Sequence, residues 1–177
     1  MSFPRRKSAY NEAALYDYAI DALARRARAV AEMKRLLRQR VMGQENGDVL
    51  IEAVVGKLKD HHYLNDTDFA AAYCSYRREK ERFGRRRVIT DLKNKGIHGE
   101  IIEKAVNAAY DGIDEERLAR EHLARKRIAR PEDAKGAARV FRALVRAGFT
   151  SRIIFAILKK WDVADEVITA LESEDPL

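Results

Sequence analysis

Apolar residues recur at intervals of three and four positions along almost the whole chain. No segment shows the strict alternation of apolar and polar residues that is typical of a strand, so the pattern predicts an all-helical chain. Glycine, proline and polar clusters interrupt the pattern and divide it into helices. It predicts nine helices that begin near residues 12, 30, 48, 66, 85, 99, 114, 131 and 150, and a short tenth helix over 163–171. The fourth helix is predicted to end near Phe83, and Thr150 is predicted to be the N-cap of the ninth.

One phrase of this pattern occurs twice, about fifty residues apart, which is a spacing typical of modular helical repeats. Residues 87–97 and 139–149 both read Arg, two apolar residues, two fillers, Leu, three mostly polar or small residues, Gly and a large apolar residue. Gly96 and Gly148 are therefore predicted to be left-handed caps of equivalent helices. A diverged first copy of the phrase has Arg40 in the glycine position.

The repeated phrase predicts an all-α fold in which tandem three-helix units form an elongated, curved body. Such a body is more typical of an extended binding surface than of an enclosed catalytic pocket. The predicted parts are a basic flexible N-terminus at 1–11, three-helix repeats at 12–63, 64–112 and 113–161, and a C-terminal helix with an acidic tail at 162–177.

The chain is rich in charge and its balance is positive. Charged residues make up 36% of the sequence, the formal net charge is +7 and the pI is about 9.6. Each helix therefore has only a narrow apolar stripe to bury. The positive balance favours an anionic partner, either nucleic acid or an acidic protein surface. The alternative is a charge-rich helical protein whose cations are simply solvated.

Cys74 is the only cysteine, so neither an intrachain disulfide nor a zinc site of paired cysteines is expected. It lies in an apolar helical stretch, which predicts a buried thiol. No apolar run approaches the length of a membrane span, and no apolar signal core follows the basic N-terminus. We therefore expect a cytoplasmic protein without membrane contact.

Positive charge concentrates near the first turn between helices in each predicted unit. Clusters at a repeat interval could follow a helical polyanion or the groove of a filament. The alternative is that they are solvated helix ends, where cations interact well with the helix dipole. The candidate binding residues are Arg25, Arg26 and Arg28 in the first unit, Arg77, Arg78, Arg85, Arg86, Arg87, Lys93 and Lys95 in the second, and Arg125, Lys126, Arg127 and Arg130 in the third.

Few groups are suited to catalysis or metal binding. His61 and His62 are neighbours on a helix end, and adjacent helical residues do not face one ligand. His122 is predicted to be packed or half-exposed. Glu115 with Glu116, or Asp111 with Asp114, could act as paired carboxylates, but acidic helix starts explain them more simply. No phosphate-binding glycine loop, HExxH or GxSxG motif is present, so we expect no enzymatic activity, no metal and no cofactor.

Two phrases in the middle of the chain are specific enough to indicate a family. Residues 64–70 read LNDTDFA, and after a basic stretch residues 89–97 read ITDLKNKGI. Together they resemble the RecX family of recombinase regulators, and the resemblance extends from about Leu15 to Leu158. The family usually has Ser before the second helix, where Ala29 lacks a capping hydroxyl. It also usually has Leu at the position of Met33, and often Gly at that of Arg40.

The resemblance implies tandem three-helix repeats and no catalytic activity. It also implies binding to the RecA recombinase in the groove of its filament on DNA, which limits filament growth, strand exchange, ATP hydrolysis, recombination and the SOS response. Single- or double-stranded DNA is a second expected partner, and we expect a monomer. Two other hypotheses remain open. One is a helical DNA-binding protein that acts without RecA, and the other is a nuclease that depends on Asp114 or Glu115.

Overall fold

The computed structural model describes residues 10–173 of the chain. These residues form ten α-helices and no strand, which confirms the predicted all-α fold. The basic N-terminal segment up to residue 9 and residues 174–177 of the acidic tail lie outside the described residues. The helices are α1 (Glu12–Arg25), α2 (Val30–Arg40), α3 (Gly47–Asp60), α4 (Asp66–Glu79), α5 (Arg85–Asn94), α6 (Gly99–Tyr110), α7 (Glu115–Arg125), α8 (Ala134–Ala147), α9 (Ser151–Lys160) and α10 (Asp165–Ser173).

None of these ten helices is both long enough and apolar enough to pass through a bilayer. The described chain divides into two compact units. The first contains the residues up to Phe69 together with Lys95–His98, and the second contains Ala70–Asn94 and the residues from Gly99 onward. The sequence-based bounds of the three repeats stay a prediction.

Two helices differ most from the sequence prediction. Helix α4 ends at Glu79 rather than near Phe83, and the backbone turns through Arg82, whose φ is 54°. Helix α8 was expected to begin at Pro131 but begins at Ala134. Asp133 sets this start, because its Oδ1 accepts the backbone N–H of Gly136 at 2.6 Å and so caps the first turn.

In the first unit the apolar stripes of α1, α2 and α3 converge on one core. Their positions recur every three or four residues, so each stripe covers one side of its helix. Full burial of a Leu, Ile or Met side chain stabilises a fold by about 1.5–3 kcal/mol, and this core contains several. The buried residues on the three helices are Leu15, Ala19, Ala22, Met33, Leu37, Ile51, Val54, Val55 and Leu58.

The start of α2 has no capping hydroxyl, as the sequence predicts at Ala29, but two carboxylates take over that role. Glu32 Oε2 accepts the N–H of Ala29 at 3.2 Å. Asp66, the first residue of α4, accepts the N–H of Val30 through Oδ1 at 2.9 Å. Both carboxylates also interact well with the positive end of the helix dipole. The capping of α2 is therefore completed from another helix.

Gly96 and Gly148 have the left-handed conformation that the repeated phrase predicts, with φ of 81° and 88°. Each also lies against the beginning of another helix. A Cβ at Gly96 would be 2.6 Å from the Cβ of Ala31 in α2, and a Cβ at Gly148 would be 2.2 Å from the backbone nitrogen of Arg87 in α5. Glycine is needed at both positions for its conformation and for its lack of a side chain.

In the second unit α7, α8 and α9 pack on one another, and α5 packs on α6 and α8. Cys74 is buried, as predicted. His122, for which a packed or a half-exposed position was expected, is buried as well. Thr150 occupies the N-cap position of α9, also as predicted, but its side chain makes no capping hydrogen bond. The largest fully buried side chains of α7–α9 and their connections are Leu123, Leu144, Phe149, Ile154, Ile157 and Leu158.

Candidate functional site

Two of the predicted binding arginines, both on α4, are occupied by internal partners. Arg77 forms an ion pair with Asp91, and its guanidinium lies 4.6 Å from the ring centroid of Phe83. Arg78 donates to the backbone carbonyl of Ala109 and also pairs with a neighbouring glutamate. The side chains of Arg77 and Arg78 are only 20% and 21% exposed, so they connect elements within the unit.

The three arginines that open α5 lie in different surroundings. Arg85 Nε is 3.6 Å from Glu115 Oε1. Arg87 Nε is 3.1 Å from Asp91 Oδ1, so Asp91 pairs with a second arginine. Arg86 is exposed and forms no ion pair with any residue between 10 and 173. Only Arg86 of the three therefore has its charge entirely available to a partner.

In the first unit Glu32 holds two of the predicted cations. Its Oε1 is 3.4 Å from the guanidinium of Arg26 and 3.2 Å from Nζ of Lys95. The Nε of Arg28 donates to the carbonyl of Ala22 at 3.4 Å. Partial burial raises the pKa of the Glu32 carboxyl, but the hydrogen bond from Ala29 and the contact with Lys95 together outweigh it, so the pKa is lowered.

The predicted cluster after α7 is partly paired. Arg125 lies 3.5 Å from Glu81, and Arg130 lies 3.0 Å from Asp162. Lys126 and Arg127 are exposed. The predicted cations that are exposed and have no ion-pair partner in the described range are Arg25, Arg86, Lys93, Lys126 and Arg127. Their role in binding stays a prediction.

Helix α8 has a cationic face that the sequence analysis missed. Its members are Lys135, Arg139, Arg142 and Arg146, which follow one another at intervals of four, three and four residues. These intervals place them on one side of the helix. All four are exposed, and no described residue forms an ion pair with them. These four cations are separated by other residues in the sequence, so they do not form a consecutive basic cluster. Only their spacing of three and four residues indicates a shared helix face.

A groove of about 450 Å³ in the second unit continues this face. Four of its lining residues are cations, and none of the described residues that line it is a carboxylate. Its apolar lining residues include Phe83 and Ile128. Such a groove attracts anions, because Asp91 pairs with Arg87 but no described carboxylate forms an ion pair with the other three cations. The lining cations are Arg87, Lys126, Arg139 and Arg146.

His122 also lines the groove but adds no charge at neutral pH. Its side chain is 3% exposed, and burial lowers the pKa of its imidazole below the ordinary 6.5. Its Nδ1 lies 3.1 Å from the backbone oxygen of Glu81, which can only accept a hydrogen bond, so Nδ1 carries the proton. His122 therefore lines the groove as a neutral imidazole ring.

The acidic residues at the start of α7 have structural partners. Asp114 caps the helix by accepting the N–H of Arg117 at 3.0 Å, and this bond lowers the pKa of its carboxyl. Glu115 pairs with Arg85, and Glu116 accepts from Lys160 at 2.7 Å. Within residues 10–173 no group of three or more His, Cys, Asp and Glu side chains is arranged to hold a metal ion.

Comparison with known proteins identifies the family. The family model described as the second three-helix domain of RecX matches residues 65–106. The regulatory protein RecX of Salmonella paratyphi A is 36% identical over 128 residues, which cover 68% of this chain and 74% of that protein. The chain belongs to the RecX family. The family resemblance of the sequence is thereby confirmed, and its members are regulatory proteins by name.

Other RecX proteins match more of the chain at lower identity. That of Amycolatopsis mediterranei is 28% identical over 79% of this chain and 78% of its own length. That of Bacillus licheniformis is 30% identical over 84% of this chain but only 55% of its own length. The crystal structure of RecX from Lactobacillus salivarius has a TM-score of 0.64 at 21% identity and covers 86% of this chain and 97% of that one. This likeness shows that the RecX fold is shared.

Proposed function

We propose that this RecX family chain binds the RecA recombinase filament on DNA and mainly inhibits its ATP hydrolysis and strand exchange, and through them recombination and the SOS response. The observation that carries the proposal is the 36% identity to a regulatory RecX protein over 74% of its length. RecA is the partner that the family resemblance implies. The chain acts by binding, and the filament supplies the catalysis that it modulates.

The available cations support a polyanionic partner. Arg25, Arg86, Lys93 and Arg127 are exposed and lack ion-pair partners among residues 10–173, so contact with phosphates or carboxylates displaces no internal bond. Arg77, Arg78 and Arg87 differ, because their use by a partner would break contacts within the unit. The first group is therefore the better choice for a test of binding.

The decisive experiment measures ATP hydrolysis by RecA on single-stranded DNA, with and without the full chain. We expect hydrolysis to fall at stoichiometric protein. A rate that is unchanged at this ratio overturns the proposal. Replacement of Arg25, Arg86, Lys93 and Arg127 by glutamine should weaken inhibition and flatten its salt dependence, because each lost phosphate contact reduces the salt slope by roughly one.

A matched control carries the same loss of charge elsewhere. Arg35, Lys59, Lys104 and Lys159 are exposed and have no ion pair with a described residue. Glutamine at these positions lowers the net charge equally and should leave inhibition close to that of the parent chain. Equal losses in both variants would point to net charge alone.

The second candidate is a DNA-binding protein that acts without RecA, and the cationic face of α8 favours it. Tight binding to DNA combined with no effect on RecA hydrolysis would support this candidate over the first.

A further inference from the structure

We propose that the cationic face of α8, with the adjoining groove, is a binding site for the phosphate backbone of a nucleic-acid strand. The site consists of Lys135, Arg139, Arg142 and Arg146 on the helix, together with Lys126 from beyond α7. Of the residues that the sequence analysis selected, Lys126 belongs to the site and Arg87 lines the adjoining groove. The proposal deepens the proposed function, on which it rests, by locating the surface that meets DNA.

The first argument is that α8 bears its charges unneutralised. Helix α7 of the same unit differs, because Arg120 with Glu116 and Arg117 with Glu121 form ion pairs at i,i+4. Helix α8 contains no acidic residue, so Arg139, Arg142 and Arg146 repel one another across successive turns. An external polyanion relieves this repulsion, whereas no described side chain does.

The second argument is the length and regularity of the face. Arg146 follows Lys135 by eleven residue steps, and at about 1.5 Å per step the two positions are roughly 16 Å apart along the helix. One strand of a nucleic acid presents a phosphate about every 3.4 Å along its axis, so the face matches roughly five nucleotides. Arg139 and Arg146 also line the groove together with Lys126, so a backbone that lies in the groove meets cations from α8 and from the end of α7.

The third argument distinguishes nucleic acid from an acidic protein. Stable protein interfaces need a central aromatic or aliphatic anchor. The large apolar residues that are exposed in the described chain are Met42, Val49, Tyr63 and Tyr76, and none is on α8. Phosphate contacts need no such anchor, and guanidinium groups bind phosphate oxygens in a bidentate manner.

The test measures binding of the full chain, without RecA, to a fluorescent oligodeoxythymidylate of about 16 nucleotides and to a duplex of equal length. The test variant replaces Lys135, Arg139, Arg142 and Arg146 by glutamine. We expect its affinity to fall by about ten- to a hundredfold near physiological salt, and its salt slope to flatten by about three. The two probes decide whether a single strand or a duplex is preferred.

Two further variants keep the result interpretable. The glutamine variant of Arg35, Lys59, Lys104 and Lys159 has the same net charge and should bind like the parent chain. A variant with lysine at Arg139, Arg142 and Arg146 should keep most of the salt slope. Circular dichroism must report native helicity for the α8 variants. If the fourfold glutamine variant is misfolded, a variant with glutamine at Arg142 and Arg146 alone replaces it and should flatten the salt slope by about half as much.

Three results overturn the site: an α8 glutamine variant that is folded and binds like the parent, equal losses in the charge-matched control, or binding of labelled polyglutamate through α8 without binding of oligonucleotides. The site and the proposed function fail separately. If α8 binds DNA but RecA hydrolysis is unaffected, only the proposed function is wrong. If RecA is inhibited and the α8 variant still binds DNA normally, only the site is wrong.

Discussion

The backbones of Gly84 and Gly148 meet without room for a side chain. A Cβ on Gly84 would lie 2.4 Å from the carbonyl oxygen of Gly148. Hydrogen bonds join the same segments, since the N–H of Gly84 donates to Ala147 at 2.8 Å and the N–H of Arg86 donates to Gly148 at 3.2 Å. The end of α8 is therefore joined to the start of α5 by direct contact and hydrogen bonds between their backbones.

Alanine at Gly84 or Gly148 should destabilise the protein by about 2 kcal/mol or more, because backbone cannot yield as a flexible side chain can. Gly148→Ala should cost more, since its φ of 88° adds left-handed strain. Urea unfolding followed by circular dichroism measures both. Gly56→Ala is the control: no atom lies within 4 Å of its added Cβ, so it should stabilise α3 by about 0.5–1 kcal/mol. Equal stability of all three variants would contradict this account.

Asp91→Asn should lower the free energy of unfolding by about 1–3 kcal/mol. The carboxylate is 12% exposed and pairs with Arg77 and Arg87, while Tyr73 donates to it at 3.1 Å. The amide cannot neutralise two guanidinium groups in this partly buried site. Thermal unfolding at low and high salt measures the loss.

The matched change is Asp162→Asn. Its pair with Arg130 is exposed, with side chains 56% and 87% accessible, so the change should cost less than about 0.5 kcal/mol. A similar loss in both variants would show that the burial of Asp91 has no special energetic role.

The buried imidazole of His122 should make stability fall in mildly acidic solution. Burial holds the pKa of the folded-state imidazole below the 6.5 of the unfolded chain. At a pH between the folded-state pKa and 6.5, the unfolded chain therefore binds a proton that the folded chain does not. The free energy of unfolding therefore rises with pH across this window, and the stabilising contribution of the neutral His122 is complete above about pH 6.5. His122→Gln should remove this slope in urea titrations from about pH 7 to about pH 5. An unchanged slope would assign the effect to other groups.

The thiol of Cys74 should be almost inert in the folded protein. It is fully buried, and burial raises its pKa to about 11. Reaction with DTNB should follow only the small unfolded fraction, about one in a thousand or fewer, and become rapid in urea. Rapid native labelling would place Cys74 in an open segment instead.

The repeated glycines are predictable from sequence because the need for a left-handed cap is local. Gly96 and Gly148 therefore have the conformation that the repeated phrase indicates. The helix starts against which they pack are not predictable in this way. Ala31 and Arg87 are distant in sequence, and only tertiary packing selects them.

The candidate site is less predictable because ion pairing crosses between helices. Nothing local assigns Asp91 to Arg77, 14 residues earlier, or Glu81 to Arg125, 44 residues later. From the sequence alone, both arginines are therefore interpreted as cations available to a binding partner. The face of α8 is the opposite case, since Arg139 and Arg142 are isolated in the sequence and come together only on the folded helix.

The carboxylate of Asp66 has a consequence for how the chain acquires its structure during synthesis. The N–H of Val30 has its acceptor on Asp66, which is synthesised 36 residues later. A nascent chain that has released only α1 to α3 therefore lacks one hydrogen bond of its second helix, and water must fill the place. When α4 emerges, its first residue closes that end, so maturation of the first three helices depends on the element that follows them.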